Sequence, residues 1–163
     1  MKMKIVLCVV ILICSIMSGC GKDSGNTSGL QPSNYKFDPK VYTLPTEQEA
    51  AEYFDFFTKA ISAEDYGKID ETIDPAALFF FMNNGATPKE MLDTSKKESE
   101  KGIRTIKSCS SKPEYVLRKE GVVGFSVELT LKNGKKTHPT LFMLYKNGKG
   151  KTGIVQVNIY NIK

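Results

Sequence analysis

The hydrophobic pattern of this chain changes its period near Gly102, and that change restricts the fold more than any other feature. From Thr46 to Gly102 apolar residues recur every three or four positions, the spacing of amphipathic helices. Beyond Gly102 apolar and polar residues alternate, as in strands with one buried face. Helices followed by strands predict an α+β domain, with the helices packed on a curled antiparallel sheet of four to five strands.

The helical half carries two start signals. Thr46 and Glu49 have the spacing of a capping box, and Thr87-Pro88 is typical of an N-cap followed by the first helical residue. The first helix is predicted to end near Ala63, with Ala50, Tyr53, Phe54, Phe57 and Ile61 on its apolar face. A second helix is predicted from about Asp65, a buried helical turn over 76–82, and a fourth helix up to Gly102.

The strand half is divided by turn signals. Strands are predicted over 103–109, 114–119, 123–131, 138–146 and 153–160. Asn133-Gly134 favours a two-residue type I′ hairpin turn, which fixes the register of the strands around it. Phe125 is therefore predicted to lie opposite Phe142. By the same count, Leu129 is predicted to lie opposite His138.

The first 45 residues differ from the rest in composition. A basic start, an apolar run from Ile5 to about Ile13 and small residues before Cys20 are typical of a secretory signal peptide. The run is shorter than the ~20 residues that a membrane-spanning helix needs. The small, polar stretch that follows is typical of a flexible linker. We therefore divide the chain into a signal peptide (1–19), Cys20 with a linker (20–45) and one domain (46–163).

Met17-Ser18-Gly19-Cys20 resembles the lipobox of bacterial lipoproteins, with Met17 where leucine is usual. The resemblance implies cleavage after Gly19, a diacylglyceryl thioether on Cys20 and often acylation of the new amino group. The protein is then expected at the cell membrane, anchored by lipid on the extracytoplasmic face. Two or more acyl chains hold a protein stably there, whereas one chain holds it only marginally. The alternative is an ordinary secreted protein cut near Gly19.

Charge and cysteine content exclude some classes of function. The formal net charge is +5, and about +3 once Lys2 and Lys4 leave with the signal, which is too small to favour nucleic acid as a partner. Cys8 and Cys14 leave with the signal, and once Cys20 is acylated Cys109 is the one remaining thiol, so the mature domain cannot form an internal disulfide. Cys109 is predicted to be a buried small hydrophobe.

The sequence contains no motif for catalysis, a metal or a cofactor, so no cofactor or metal is predicted. His138 is the only histidine and would be the general base if the domain were an enzyme, given a carboxylate to orient it. Five aromatic residues are candidates for the lining of an apolar pocket, with core packing as the alternative. They are Tyr53, Phe57, Phe80, Phe125 and Phe142.

The face of the sheet turned away from the helices is also partly apolar. Leu141, Met143 and Tyr145 fall on it in the predicted register. A second apolar face usually marks a partner surface or a covered surface. A homodimer through these three residues is one hypothesis, and a cover formed by Tyr35, Phe37 and Tyr42 is the other.

Three stretches of the helical half resemble the opening of nuclear transport factor 2-like, cystatin-cone domains. They are Glu49–Phe57, Ala63–Ile69 and Ile73–Pro75, and the resemblance extends over roughly residues 46–160. It implies a cone-shaped pocket between the sheet and the helices, in a fold that serves both enzymes and binding modules. We expect a non-catalytic domain that binds a small apolar ligand or an envelope protein. The alternative is a cone-pocket hydrolase or isomerase that uses His138 or a pocket carboxylate as its base.

Overall fold

The computed structural model describes residues 42–81 and 88–159. The helices are α1 (Glu47–Ser62), α2 (Tyr66–Asp70), α3 (Ala76–Phe81) and α4 (Lys89–Ile103). The strands are β1 (Tyr42–Thr43), β2 (Ile106–Cys109), β3 (Glu114–Arg118), β4 (Gly121–Val127), β5 (Leu129–Leu131), β6 (Thr140–Asn147) and β7 (Thr152–Ile154). Helices precede most of the sheet, and the predicted α+β class is confirmed. Thr87, the predicted cap of α4, lies outside the described residues.

The main sheet is antiparallel and open. Its order is β1-β6-β4-β3, with β7 also paired to β6, while β2 and β5 form a separate pair. Phe125 lies opposite Phe142, so the predicted register of the central hairpin is confirmed there. β3 carries a register shift between Val116 and Leu117, which interrupts its pairing with β4.

The predicted type I′ turn is wrong. The Gly134 N–H donates to the Leu131 carbonyl at 2.9 Å, and the Leu131 N–H donates to the Lys135 carbonyl at 2.8 Å. Gly134 has a φ of +82°, whereas Asn133 is not in the positive-φ region. This is the geometry of a type I turn followed by a left-handed glycine, a loop of three residues rather than two.

The longer loop moves His138 out of the ladder. Leu129 accepts from the N–H of Thr137 at 2.9 Å, so Thr137 takes the position predicted for His138. The Thr137 hydroxyl also accepts from the Leu129 N–H at 3.1 Å. The three-residue loop shifts the pairing of β5 by one residue, and the connection before β6 restores the register in which Phe125 lies opposite Phe142. His138 lies in this connection and is exposed.

The main core lies between α1 and one face of the sheet. Phe57, Phe125 and Phe142 meet in its centre, with ring centroids 5.0 Å apart for Phe125–Phe142 and 5.1 Å apart for Phe57–Phe142. The apolar residues of α1 recur at helical spacing, so they lie on one face and pack into this core. The predicted capping box at the start of α1 is present at Thr46 and Glu49. Apolar residues from α2, α4 and β2 complete this core.

A second cluster lies on the opposite face of the sheet. Leu144 and Tyr145 are consecutive on β6 and point to opposite sides, so Leu144 joins the main core and Tyr145 joins this cluster. α3 covers Tyr145 with Ala77 and Leu78. Tyr42 packs edge-on against Tyr145, with ring centroids 5.5 Å apart. The apolar sequence of α3 is explained by this cover.

The last strand is shorter than predicted, because it ends at Ile154 rather than near 160. The buried hydroxyl of Ser99 on α4 accepts the Val157 N–H at 2.9 Å, so that donor is used outside the ladder. The Val155 N–H still donates to the Met143 carbonyl of β6 at 2.9 Å, so the chain leaves β6 after Val155 and reaches α4 at Val157. Val155 belongs to the cluster under α3 and Ile154 to the main core, so these consecutive residues point to opposite sides of the sheet.

Glu64 ends α1 in a conformation that favours glycine. Its φ is +54°, and the Asp65 N–H donates to the Ala60 carbonyl at 2.9 Å, as in a Schellman motif. Glu64→Gly is expected to raise the free energy of unfolding by about 0.5–1 kcal/mol in urea titrations. It removes the strain of a non-glycine residue at positive φ, and this gain exceeds the cost of the greater conformational entropy of the unfolded chain. Glu64→Ala keeps the Cβ and is the control. Equal stability of the two variants would contradict this account.

Candidate functional site

Two shallow, open grooves run along α1. The turn groove lies between α1 and the β6–β7 connection and has a volume of about 350 Å³. The helix groove lies between α1 and α2 and has a volume of about 390 Å³. Glu52 and Phe56 line both grooves, so the half-buried ring of Phe56 stands between them. Both grooves are open to solvent, so they would enclose little of a ligand's surface.

Tyr53 forms the floor of the turn groove. The Thr72 hydroxyl donates to the Ile69 carbonyl at 2.7 Å, so the Tyr53 hydroxyl is the donor in its 2.6 Å contact with Thr72. Burial raises the pKa of Tyr53, which keeps the phenol neutral. The floor therefore offers an aromatic surface without a charge.

The outer wall of the turn groove is a well-defined turn. The Asn147 side-chain oxygen accepts from the N–H groups of Lys149 and Lys151, each at 3.0 Å. Gly150 has a φ of +77°, a conformation that glycine adopts without strain. This turn places the exposed Lys151 across the groove from α1.

The helix groove has an apolar floor and a paired rim. Ala60 of α1 and Ala63, the residue that caps its C-terminal end, lie beside Phe56 in its lining. On the rim, Lys59 pairs with Asp55 at 2.6 Å, and Lys68 pairs with Asp65 at 2.6 Å. Ion pairs this exposed contribute little to stability, so their charges remain open to a ligand.

Charge is distributed unevenly along the described chain. Residues 42–81 carry nine acidic and two basic side chains, a net charge of −7. Residues 106–159 carry ten basic and three acidic side chains, a net charge of +7. The groove linings do not share this imbalance, because Glu49, Glu52, Asp55 and Asp65 are accompanied there by Lys59, Lys68 and Lys151, and Lys146 pairs with Glu49.

Glu49 links the turn groove to β6. The Lys146 ammonium lies 2.5 Å from Glu49 and holds the pKa of that carboxyl below its usual range, helped by the hydrogen bond from the Thr46 backbone. Because the pKa of Glu49 is lower in the folded state, the pair stabilises the fold at pH values above the unfolded-state pKa of ~4.3. This stabilisation is lost as the pH falls through the folded-state pKa.

Lys146→Met is therefore expected to lower the free energy of unfolding at pH 7 by about 0.5–1 kcal/mol. The difference from the unmodified protein should shrink below pH ~4, as Glu49 becomes protonated. Urea titrations between pH 3 and 7 would measure both effects. Lys149→Met removes an exposed lysine from the neighbouring turn and is the matched control. A pH-independent loss in Lys146→Met would rule out the Glu49 charge as its cause.

Most of the predicted pocket residues belong to the core. Phe57, Phe125 and Phe142 are fully buried and line neither groove. Tyr53 does line the turn groove. Phe80 lies in α3, and its side chain is outside the described part of the structure. Phe56 instead lines both grooves, and no signal in the sequence singled it out.

The predicted interface residues are divided by α3. Leu141 and Met143 are half-buried, whereas Tyr145 is only 5% exposed and its hydroxyl donates to the Thr72 carbonyl at 3.1 Å. Tyr145 is thus unavailable to a partner, because α3 and Tyr42 already cover it. Tyr42 lies where the predicted cover would be, while Tyr35 and Phe37 lie outside the described residues.

The predicted chemical groups lie apart from the grooves. His138 lines neither groove. Burial raises the pKa of the half-buried Cys109 thiol to about 12, which keeps it protonated and unreactive at neutral pH. Within residues 42–81 and 88–159, no three side chains of the metal-binding types form a set that could hold an ion. Cys20 precedes the described residues.

Comparison with protein-family models, curated proteins and solved structures finds no match for this chain. Within the two described ranges, each helix is too short or too polar to cross a bilayer.

Proposed function

We propose that this chain is an extracytoplasmic lipoprotein, held at the cell membrane through Cys20, whose α+β domain binds a ligand without transforming it. The binding site is the pair of grooves along α1. The single observation that carries this site is the half-buried Phe56 ring, which stands between two open grooves that it shares with Glu52. An aromatic ring in that position supplies contact area for a ligand at little cost in conformational entropy.

The anchor is supported by the sequence alone. Met17-Ser18-Gly19-Cys20 follows a basic start and a short apolar run, which is the order of a lipoprotein signal. The described domain begins at Tyr42, which leaves 21 residues between it and Cys20. A linker of that length has a mean reach of roughly 25 Å, enough to hold the domain clear of the lipid headgroups.

The intact mass of the protein extracted from membranes tests the anchor. We expect a chain that starts at Cys20 and carries the added mass of a diacylglyceryl group, with or without a third acyl chain. Cys20→Ala should lose both the added mass and membrane retention, with Cys109→Ala as the matched control. An unmodified mass for a freely secreted protein would overturn the anchor and leave the grooves in need of a soluble partner.

A further inference from the structure

We infer that a second copy of this chain pairs with the outer edge of the main sheet, strand to strand, through β3. β3 is the last strand in the order β1-β6-β4-β3, and within the described residues it pairs with β4 alone. The backbone N–H and C=O groups along its other side are a template for a further strand. This dimer is independent of the grooves, which lie along α1.

The edge lacks most of the features that prevent such pairing. Natural edge strands are often protected by a bulge, or by a proline or lysine within the strand. At the register shift the extra residue, Val123, belongs to β4, so β3 itself runs without a break. β3 contains neither lysine nor proline. Its Leu117 is 56% exposed, and Met91 is the one other large hydrophobic residue so exposed in the described chain.

The symmetry of a homodimer restricts the register of this pair. Residues that face each other across antiparallel strands have side chains on the same side of the sheet, and side chains alternate along each strand. The two-fold axis therefore passes through a residue of β3 rather than between two residues. With the axis at Val116, Glu114 lies opposite Arg118 of the second copy. Tyr115 lies opposite Leu117, and Val116 lies opposite its own equivalent.

Charge favours this register over its neighbours. Glu114 and Arg118 are exposed, and among the described residues neither takes part in an ion pair. With the axis at Val116, each of them faces the opposite charge. Moving the axis by one residue would place Glu114 opposite Glu120 in one direction. In the other direction it would place Arg118 opposite Lys112. Opposite charges directly across a strand pair are stabilising and like charges are destabilising.

The apolar side chains of β3 also match across the axis. Tyr115 is half-buried against the main core, and the exposed Leu117 of the second copy would lie beside its ring. The two Val116 side chains would meet on the other side of the sheet, so every residue of β3 has a suitable partner. A pair of five-residue strands is small beside the ~1,200–2,000 Å² of a stable interface. The dimer is therefore expected to be weak, and a trapping experiment suits it.

Disulfide trapping tests the pairing and its register. The full chain carries Cys109→Ala and one new cysteine, Val116→Cys or Leu117→Cys, and is oxidised in the membranes or medium that contain it. Val116→Cys would face its own equivalent, within the ~4.4–6.8 Å between Cα atoms that a disulfide spans. Leu117→Cys would lie diagonally from its equivalent, at about 7–8 Å, beyond that span.

We expect Val116→Cys to form the covalent dimer at least tenfold faster than Leu117→Cys, although Leu117 is the more exposed residue. Random collision would favour the exposed position, so equal rates or the reverse order would overturn the inference. A Val116→Cys yield no higher than that of the Cys109→Ala parent, which reports any link through Cys20, would also overturn it. So would a product whose mass is not twice that of the chain, because the edge would then belong to another protein.

Charge exchange on the Val116→Cys chain provides the second arm. Glu114→Arg would place arginine opposite arginine twice, and Arg118→Glu would place glutamate opposite glutamate twice. Each variant alone should form the covalent dimer at least tenfold more slowly. Co-expressed, the two variants face each other with opposite charges, and the rate should return to within threefold of the unexchanged chain. This recovery also shows that both variants fold. A mixture as slow as the single variants would overturn the pairing.

Discussion

Phe57→Ala is expected to lower the free energy of unfolding by about 3–5 kcal/mol, because it empties space at the centre of the core. Phe57 is 0% exposed, and its ring contacts both Phe125 and Phe142. Phe56→Ala, one residue earlier on the same helix, is expected to cost less, about 1–2 kcal/mol, because that ring is only partly buried. Urea unfolding followed by circular dichroism would measure both.

This comparison separates the two roles of the aromatic residues on α1. A residue that lines an open pocket contributes to ligand affinity more than to folding, and a core residue does the reverse. If Phe57→Ala cost no more than Phe56→Ala, Phe57 would be a pocket residue, as the sequence suggested, and the packing described for α1 would be wrong.

Gly124→Ala is expected to lower the free energy of unfolding by about 2–4 kcal/mol. Gly124 lies in β4 between β3 and β6, where a Cβ atom would overlap the carbonyl oxygen of Phe142. That oxygen belongs to the backbone of the central strand, so a rotamer change cannot relieve the overlap. Thermal and urea unfolding would show the loss.

Gly67→Ala is the matched control for Gly124→Ala. Gly67 lies in α2, and a Cβ added there would meet nothing within 4 Å. Alanine should therefore raise the free energy of unfolding by about 0.5–1 kcal/mol, since it favours helix and restricts the unfolded chain. Opposite signs for the two alanines are the expected outcome, and a shared sign would contradict the close approach at Gly124.

Local signals predicted the helices and the centre of the sheet well. Thr46 and Glu49 determine the start of α1 through contacts within four residues, so that start can be read from the sequence. The pairing of Phe125 with Phe142 was also predictable, because the alternation of apolar residues restricts the register to steps of two.

The errors occur where the alternation of apolar residues does not decide the local structure. The turn after β5 has three residues because Gly134 alone takes the left-handed conformation, and Asn-Gly pairs are compatible with either turn. β7 ends before Val157, whose N–H donates to Ser99 on α4, 58 residues earlier, instead of to β6. Neither the choice of turn nor the contact with Ser99 is visible in the alternation of the strand itself.

The candidate site was the least predictable part. Phe56 and Phe57 are adjacent and chemically identical, and only the packing of α1 against the sheet decides which ring is buried. Helical periodicity assigns Phe57 to the core, but it does not show that α2 and the β6–β7 turn leave space on both sides of Phe56. Grooves depend on where neighbouring elements stop, which a single sequence does not encode locally.

The short first strand has a mechanical consequence for a chain held at its N-terminal side. Any tension along the chain before residue 42 reaches the described domain through Tyr42 and Thr43, which pair with β6, and through the Tyr42 hydroxyl, which donates to Asp74. The next attachment is the Val122 N–H, which donates to the Pro45 carbonyl at 2.8 Å, followed by the first turn of α1. Under load β1 would detach first and lengthen the tether by a few residues, while the core around Phe57 stays folded. β1 is thus the part of the described domain expected to detach first under tension applied from the N-terminal side.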